Sequence, residues 1–166
     1  MNKLRFFLNM KHVVRNQVFE TNSSSVHSIV VKETNDYKIE LERSQTNPYA
    51  VVAHCMDYSD VGHDETYVIA TQQDKFNYLM SWLACKFEYT YYDDLKSSWE
   101  YSYVLNALRS VDNKIDDIIV IDSDKAKFDH QTAPYNSSDC VVDLYSERAI
   151  KDFIFNDNIM LECYFD

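Results

Sequence analysis

A single glycine, Gly62, stands in a chain of 166 residues, beside only two prolines, Pro48 and Pro134. Average usage is roughly 7% glycine. A phosphate-cradling loop needs several glycines so that backbone N–H groups can reach the ligand. Loops of the Walker type and of the dinucleotide type are therefore excluded. Turns that require positive φ must fall on Asn and Asp, which tolerate that region better than other non-glycine residues. Asn35-Asp36, Asp112-Asn113 and Asn156-Asp157-Asn158 are the natural places.

Apolar residues make up 46% of the chain and charged residues 26%, a balance that suits a folded domain rather than a disordered one. The length fits one domain with a substantial core. The longest apolar runs, such as Ile118-Ile119-Val120-Ile121, fall far short of the ~20 residues needed to cross a bilayer. The first ten residues hold Lys3, Arg5 and Phe6-Phe7, without the long apolar segment and small-residue cleavage site of a signal peptide. The expectation is a cytoplasmic protein of a bacterial cell. Residues 1–9 read as an N-terminal extension and residues 10–166 as a single globular domain. Cys55, Cys85, Cys140 and Cys163 are scattered and form no Cys-x-x-Cys pair, so a zinc ribbon is excluded and they read as small apolar core residues.

Hydrophobic periodicity predicts the elements. Val26–Val31 is β-branched and reads as a strand; Lys38–Glu42 alternates polar and apolar, the mark of a half-buried strand. Tyr49–Ala53 and Tyr67–Ala70 are further strands. Thr71 and Asp74 signal a helix start, and Phe76, Leu79, Met80, Leu83 and Phe87 mark one face of the helix. A second helix is predicted over Leu95–Val111, with Tyr101, Val104, Leu105, Leu108 and Val111 on its apolar face. Asp117–Asp122 reads as a strand buried on both faces. Residues 123–140 read as a long polar connection. Ser146 caps a short helix carrying Ile150, Phe153 and Ile154, and Met160–Phe165 closes the chain as a strand. The order implies an α+β, or mixed α/β, domain with a central sheet of about five strands packed by two or three helices.

Charge is unevenly spread. Residues 1–31 hold four Lys/Arg and one acid, a balance of +3, whereas residues 32–166 hold twelve Lys/Arg and 26 acids, a balance of −14. A body of that charge repels nucleic acid and is drawn to basic surfaces, including the nucleic-acid channels of other proteins. The plain alternative is an acidic surface that keeps a small protein in solution.

The densest polar stretch is Val18-Phe19-Glu20-Thr21-Asn22-Ser23-Ser24-Ser25-Val26-His27-Ser28. Glu20, Ser24, Ser25 and His27 supply an acid, two hydroxyl nucleophiles and a base, the ingredients of a hydrolase or group transferase. On a strand, however, Ser25 and His27 stand ~7 Å apart at ~3.3 Å per residue. No glycine-flanked elbow presents the serine. The structural alternative is a turn in which Asn22 and the serines satisfy backbone groups and Glu20 anchors them. From Arg15 to Ser28 the pattern resembles the N-terminal signature of a family of small proteins from bacteriophages, prophages and their Gram-positive hosts. The resemblance covers residues 10–31, with a looser echo at Tyr67–Leu79 that carries less glycine than the family pattern. It implies a mobile-element origin rather than a particular chemistry.

Three more constellations stand out. His54-Cys55, Asp57, Asp60 and His63-Asp64-Glu65 could hold a divalent metal, with His54, Asp60 and His63 as ligands, although the spacing matches no standard zinc site. Glu88, Tyr91, Tyr92, Asp93, Asp94, Trp99, Glu100 and Tyr103 combine acids with aromatic rings. Tyr and Trp are frequent interface anchors, and spaced carboxylates can imitate a phosphate backbone. The alternative is a helix pair whose tyrosines cap the core and whose acids face water. Asp116, Asp117, Asp122 and Asp124 bracket one strand, as in a metal-dependent nuclease, but the basic surface a nuclease needs is missing.

Together these readings predict an acidic phage-encoded protein without a cofactor. It is expected to bind and inhibit a host defence protein through that protein's basic nucleic-acid-binding surface, as an anti-CRISPR nucleic-acid mimic would. Neither direct nucleic-acid binding nor membrane association is expected. The rival is a small enzyme working through Glu20, Ser24, Ser25 and His27.

Overall fold

A computed structural model describes residues 11–13, 28–31, 37–59, 67–86, 92–128, 140 and 142–163. It has an α+β architecture. Helix α1, Gln72–Lys86, lies at its centre. Thr71 caps α1 reciprocally: its Oγ1 accepts from the Asp74 N–H at 3.1 Å and donates to Asp74 Oδ2 at 2.6 Å. Phe76, Leu79, Met80 and Leu83 are buried as their spacing predicts, but so is every residue from Lys75 to Ala84. A one-sided apolar stripe understated the burial because α1 packs against β3 (Ala50–His54), β5 (Tyr67–Ile69) and α4 (Glu147–Phe155).

Among the described residues the strands form three separate sheets rather than one central sheet of about five. The largest is antiparallel, in the order β1 (Lys11–Val13), β2 (Ser28–Val31), β8 (Met160–Cys163), β5. Strand β3 pairs in parallel with β6 (Asp117–Ile121), Val51 opposite Ile118. Strand β4 (Asp57–Tyr58) pairs in parallel with β7 (Lys127–Phe128), and a 3₁₀ turn, Ser123–Lys125, precedes β7. Parallel pairing needs a long crossover, and helices α1, α2 (Tyr92–Ser97) and α3 (Trp99–Arg109) lie within it between β3 and β6. Strand β6 is less buried than its sequence predicts: Ile118 is buried, Ile119 and Val120 are half-buried, and Ile121 is exposed.

Lys38–Glu42 alternates in burial as predicted, with Leu41 buried between exposed Glu40 and Glu42, but it forms no strand ladder. Glutamines of α1 take the place of a neighbouring strand. The Glu40 N–H donates to Gln72 Oε1 at 3.0 Å, and Gln72 Nε2 donates to the Lys38 carbonyl at 2.8 Å. The Glu42 N–H donates to Gln73 Oε1 at 2.8 Å. An isolated antiparallel bridge, Arg43 opposite Val51, then joins this segment to β3.

The predicted helix over Leu95–Val111 is two helices, α2 (Tyr92–Ser97) and α3 (Trp99–Arg109). Ser98 breaks the run. Its backbone is extended (φ −72°, ψ 153°) and its Oγ accepts from the Tyr101 N–H at 3.1 Å. Serine competes with helical backbone bonds inside a helix and satisfies them at its start. Ser146 caps α4 as predicted, accepting from the Ala149 N–H at 3.2 Å, and Ile150, Phe153 and Ile154 are buried.

The scarcity of glycine is met by side chains. Asn47, Asp57, Asp112, Asp143 and Asn156 each accept, through Oδ1, from the backbone N–H two residues on, at 2.9–3.0 Å. Such turns tighten the chain without positive φ. Neither Asp112-Asn113 nor Asn156–Asn158 takes the positive φ expected of it, because the Oδ1 bond closes each turn instead; Asn35-Asp36 lies outside the described residues. Among the described residues the only non-glycine with positive φ is Asp122, at 58°.

Candidate protein-binding surface

Ser98 fixes where α3 begins and therefore where Trp99, its first residue, projects. Tyr103 lies four residues on, on the same helix face. The two rings meet edge to face, with centroids 5.7 Å apart and planes at 87°. Tyr145, from the turn before α4, stacks on Trp99 at 4.4 Å with planes only 17° apart. Its turn is held by the Tyr145 N–H donating to Asp143 Oδ1 at 3.0 Å and the Ser146 N–H donating to the Asp143 carbonyl at 3.1 Å. Trp99 is 37% exposed and Tyr145 65%, the highest among the exposed large hydrophobic side chains described. A ring pair that excludes water from its inner faces while leaving an outer face open is suited to anchor a partner.

Behind the stack lies charge. Lys86 Nζ stands 5.8 Å from the Trp99 ring centroid and pairs with the carboxylate of Glu100. Glu100 is only 2% exposed. An acid expected on the binding surface is thus an interior group that neutralises Lys86. Burying either charge alone would be costly, so the pair belongs to the framework.

Of the other expected binding residues, Asp94 is exposed, Tyr103 is half-buried, and Tyr92 and Asp93 fall in the first turn of α2. Glu88 and Tyr91 lie outside the described residues. Tyr145 and Lys86 escaped the sequence reading. Trp99, Tyr103 and Tyr145 come together only when α3 and α4 pack, and no local pattern announces that.

The residues of the catalytic alternative, Glu20, Ser24, Ser25 and His27, lie outside the described residues, as do Asp60 and His63 of the metal alternative. His54 is described, and its Nε2 stands 2.9 Å from Glu42 Oε2. Cys55 is buried, and burial pushes its thiol up to about 11. Asp57 bonds the hydroxyl and N–H of Ser59, which hold its carboxyl below the usual range. Among the described residues no three His, Cys, Asp or Glu side chains converge as metal ligands.

The carboxylates bracketing β6 serve the framework. Asp117 accepts from Lys96 Nζ at 2.8 Å on each oxygen and from the Tyr101 hydroxyl at 2.7 Å. Burial opposes its ionisation, but these bonds, the Lys96 charge and the Ile118 N–H outweigh burial and hold the carboxyl below its ordinary range. Asp116 Oδ1 accepts from Asn47 Nδ2 at 3.2 Å, and Asp122 faces Lys125 at 3.1 Å.

No described helix is long and apolar enough to cross a membrane. Comparison with protein-family models, with curated proteins and with solved structures finds no match to the chain.

Proposed function

We propose that the protein acts by binding, as an acidic partner, the basic nucleic-acid-binding surface of a host defence protein such as an RNA-guided nuclease, and that it inhibits that protein by occupying the surface. The observation that carries this reading is the exposed Trp99–Tyr145 stack on a body whose charge balance over residues 32–166 is −14. The rings supply an anchor that loses water on contact, and the carboxylates supply long-range attraction to a basic groove. The resemblance of residues 15–28 to phage and prophage proteins supports a bacterial target and a cytoplasmic setting.

Attraction between exposed charges is screened by salt. Affinity capture from a bacterial lysate with the tagged protein, at low and then high ionic strength, tests the reading. The expected result is a nucleic-acid-binding protein retained at low salt and released at high salt. Retention of no such protein, or retention that ignores ionic strength, would overturn the mimic mechanism.

A further inference from the structure

The aromatic surface is a layered stack. Tyr145 stacks on Trp99 with centroids 4.4 Å apart and planes nearly parallel, and Lys86 Nζ lies over the same Trp99 ring at 5.8 Å. Lys86 pairs in turn with the Glu100 carboxylate. Beyond Tyr145 the stack ends in solvent. The chain thus already places a cation over one ring of the pair, where the negative π-face attracts it.

Two exposed carboxylates neighbour Tyr145 in the sequence. Asp143 and Glu147 stand two residues before and two after Tyr145, and both are exposed. Asp143 Oδ1 accepts from the Tyr145 N–H at 3.0 Å, which holds this carboxylate in the same turn as Tyr145. The nearby cations of α4 are engaged elsewhere: Arg148 Nε faces Asp152 Oδ2 at 3.6 Å, and Lys151 lies over Tyr37 at 5.7 Å.

We infer that the outer face of Tyr145 takes an arginine side chain of the basic partner, with Asp143 and Glu147 receiving the edge of its guanidinium. Arginine fits better than lysine because its flat, weakly hydrated guanidinium stacks on a ring while its N–H fork reaches carboxylates; an ammonium offers a hydrated point charge. The inference rests on the acidic-partner reading and narrows it to one chemistry and one anchor.

Fluorescence anisotropy of labelled oligoarginine and oligolysine peptides of equal length, titrated with the full chain, tests it. Wild type should hold oligoarginine about two- to five-fold more tightly than oligolysine, the range of an exposed cation–π contact. Y145A should lose that preference while still binding both peptides, and Y145F, which keeps the ring, should retain it. Equal affinity for the two peptides in wild type, or a preference that survives in Y145A, overturns the arginine site. If salt-sensitive binding of both peptides persists in that case, the acidic-partner reading stands without it. If neither peptide binds at low salt, both fall together.

Discussion

Along α1 the buried polar side chains tie other segments down, whereas Trp99 at the start of α3 and Tyr145 before α4 stack on one another and stay partly in water. Lys75 is 0% exposed, and its Nζ donates to the carbonyls of Asn156 at 2.8 Å and Ile159 at 3.2 Å, joining α1 to the connection between α4 and β8. Asn77 accepts from the His54 N–H, and Ser81 accepts from the Met56 N–H while donating to the Asn77 carbonyl. Such bonds substitute for sheet partners, because an unsatisfied buried backbone group costs about as much as a lost hydrogen bond. Trp99 and Tyr145 leave part of a large apolar surface in water. Buried polarity here is framework, and exposed aromaticity is where we propose that a partner binds.

Breaking the framework should have the largest effects. Glu100→Lys sets two cations in an interior that holds one neutral pair, and should cost about 3–5 kcal/mol of stability in urea unfolding. A loss below about 1 kcal/mol, with weakened partner binding, would return Glu100 to the surface. Lys75→Ala leaves a cavity and two carbonyls without their donor, and should cost a similar amount, about 3–5 kcal/mol. Lys75→Met, which keeps the volume, should cost less, about 1–3 kcal/mol.

Lys75 also carries a signature in pH. Burial lowers its pKa from 10.5 to about 8, opposed only by the charge of Asp157. Between those values the unfolded chain binds more protons at this lysine than the folded one does, so its contribution to stability rises with pH across that window. Cys55 and Tyr37 act in the opposite sense, since burial raises them to about 11 and about 12. The quantity to follow is therefore the stability of wild type minus that of Lys75→Met, which should grow from pH 8 toward 10.5. A flat difference would show that the amine is not desolvated.

Smaller effects sharpen the other side of the comparison. Ser98→Ala removes the cap that starts α3 and should cost about 1 kcal/mol. It should also loosen the Trp99–Tyr145 stack, seen as a changed Trp99 environment in near-ultraviolet circular dichroism. Asp94→Lys lies on the exposed surface and should move stability by less than about 0.5 kcal/mol. It should nonetheless weaken capture of a basic partner, and unchanged capture would shift the contact away from α2.

Much of this was legible along the chain. The caps Thr71 and Ser146, the buried faces of α1 and α4 and the strands 117–121 and 160–163 follow from local periodicity and hydroxyl placement. What could not be read was tertiary. Nothing local distinguishes Glu100, which meets Lys86, from Asp94, which meets water. Ser98 was hidden because the apolar period runs across it, and the backbone breaks where the hydroxyl caps a new helix. Tyr145 gave no sign because its ring partner belongs to a distant helix. The replacement of a strand by Gln72 and Gln73 is equally a long-range event.

The most direct test of the account is competition. With a captured basic partner held on the immobilised protein at low salt, duplex DNA is added and the released fraction is measured. If the acidic face occupies a nucleic-acid-binding surface, DNA should displace the partner in a concentration-dependent way, and it should do so more readily from Asp94→Lys. A partner that stays bound under saturating DNA would contradict the account.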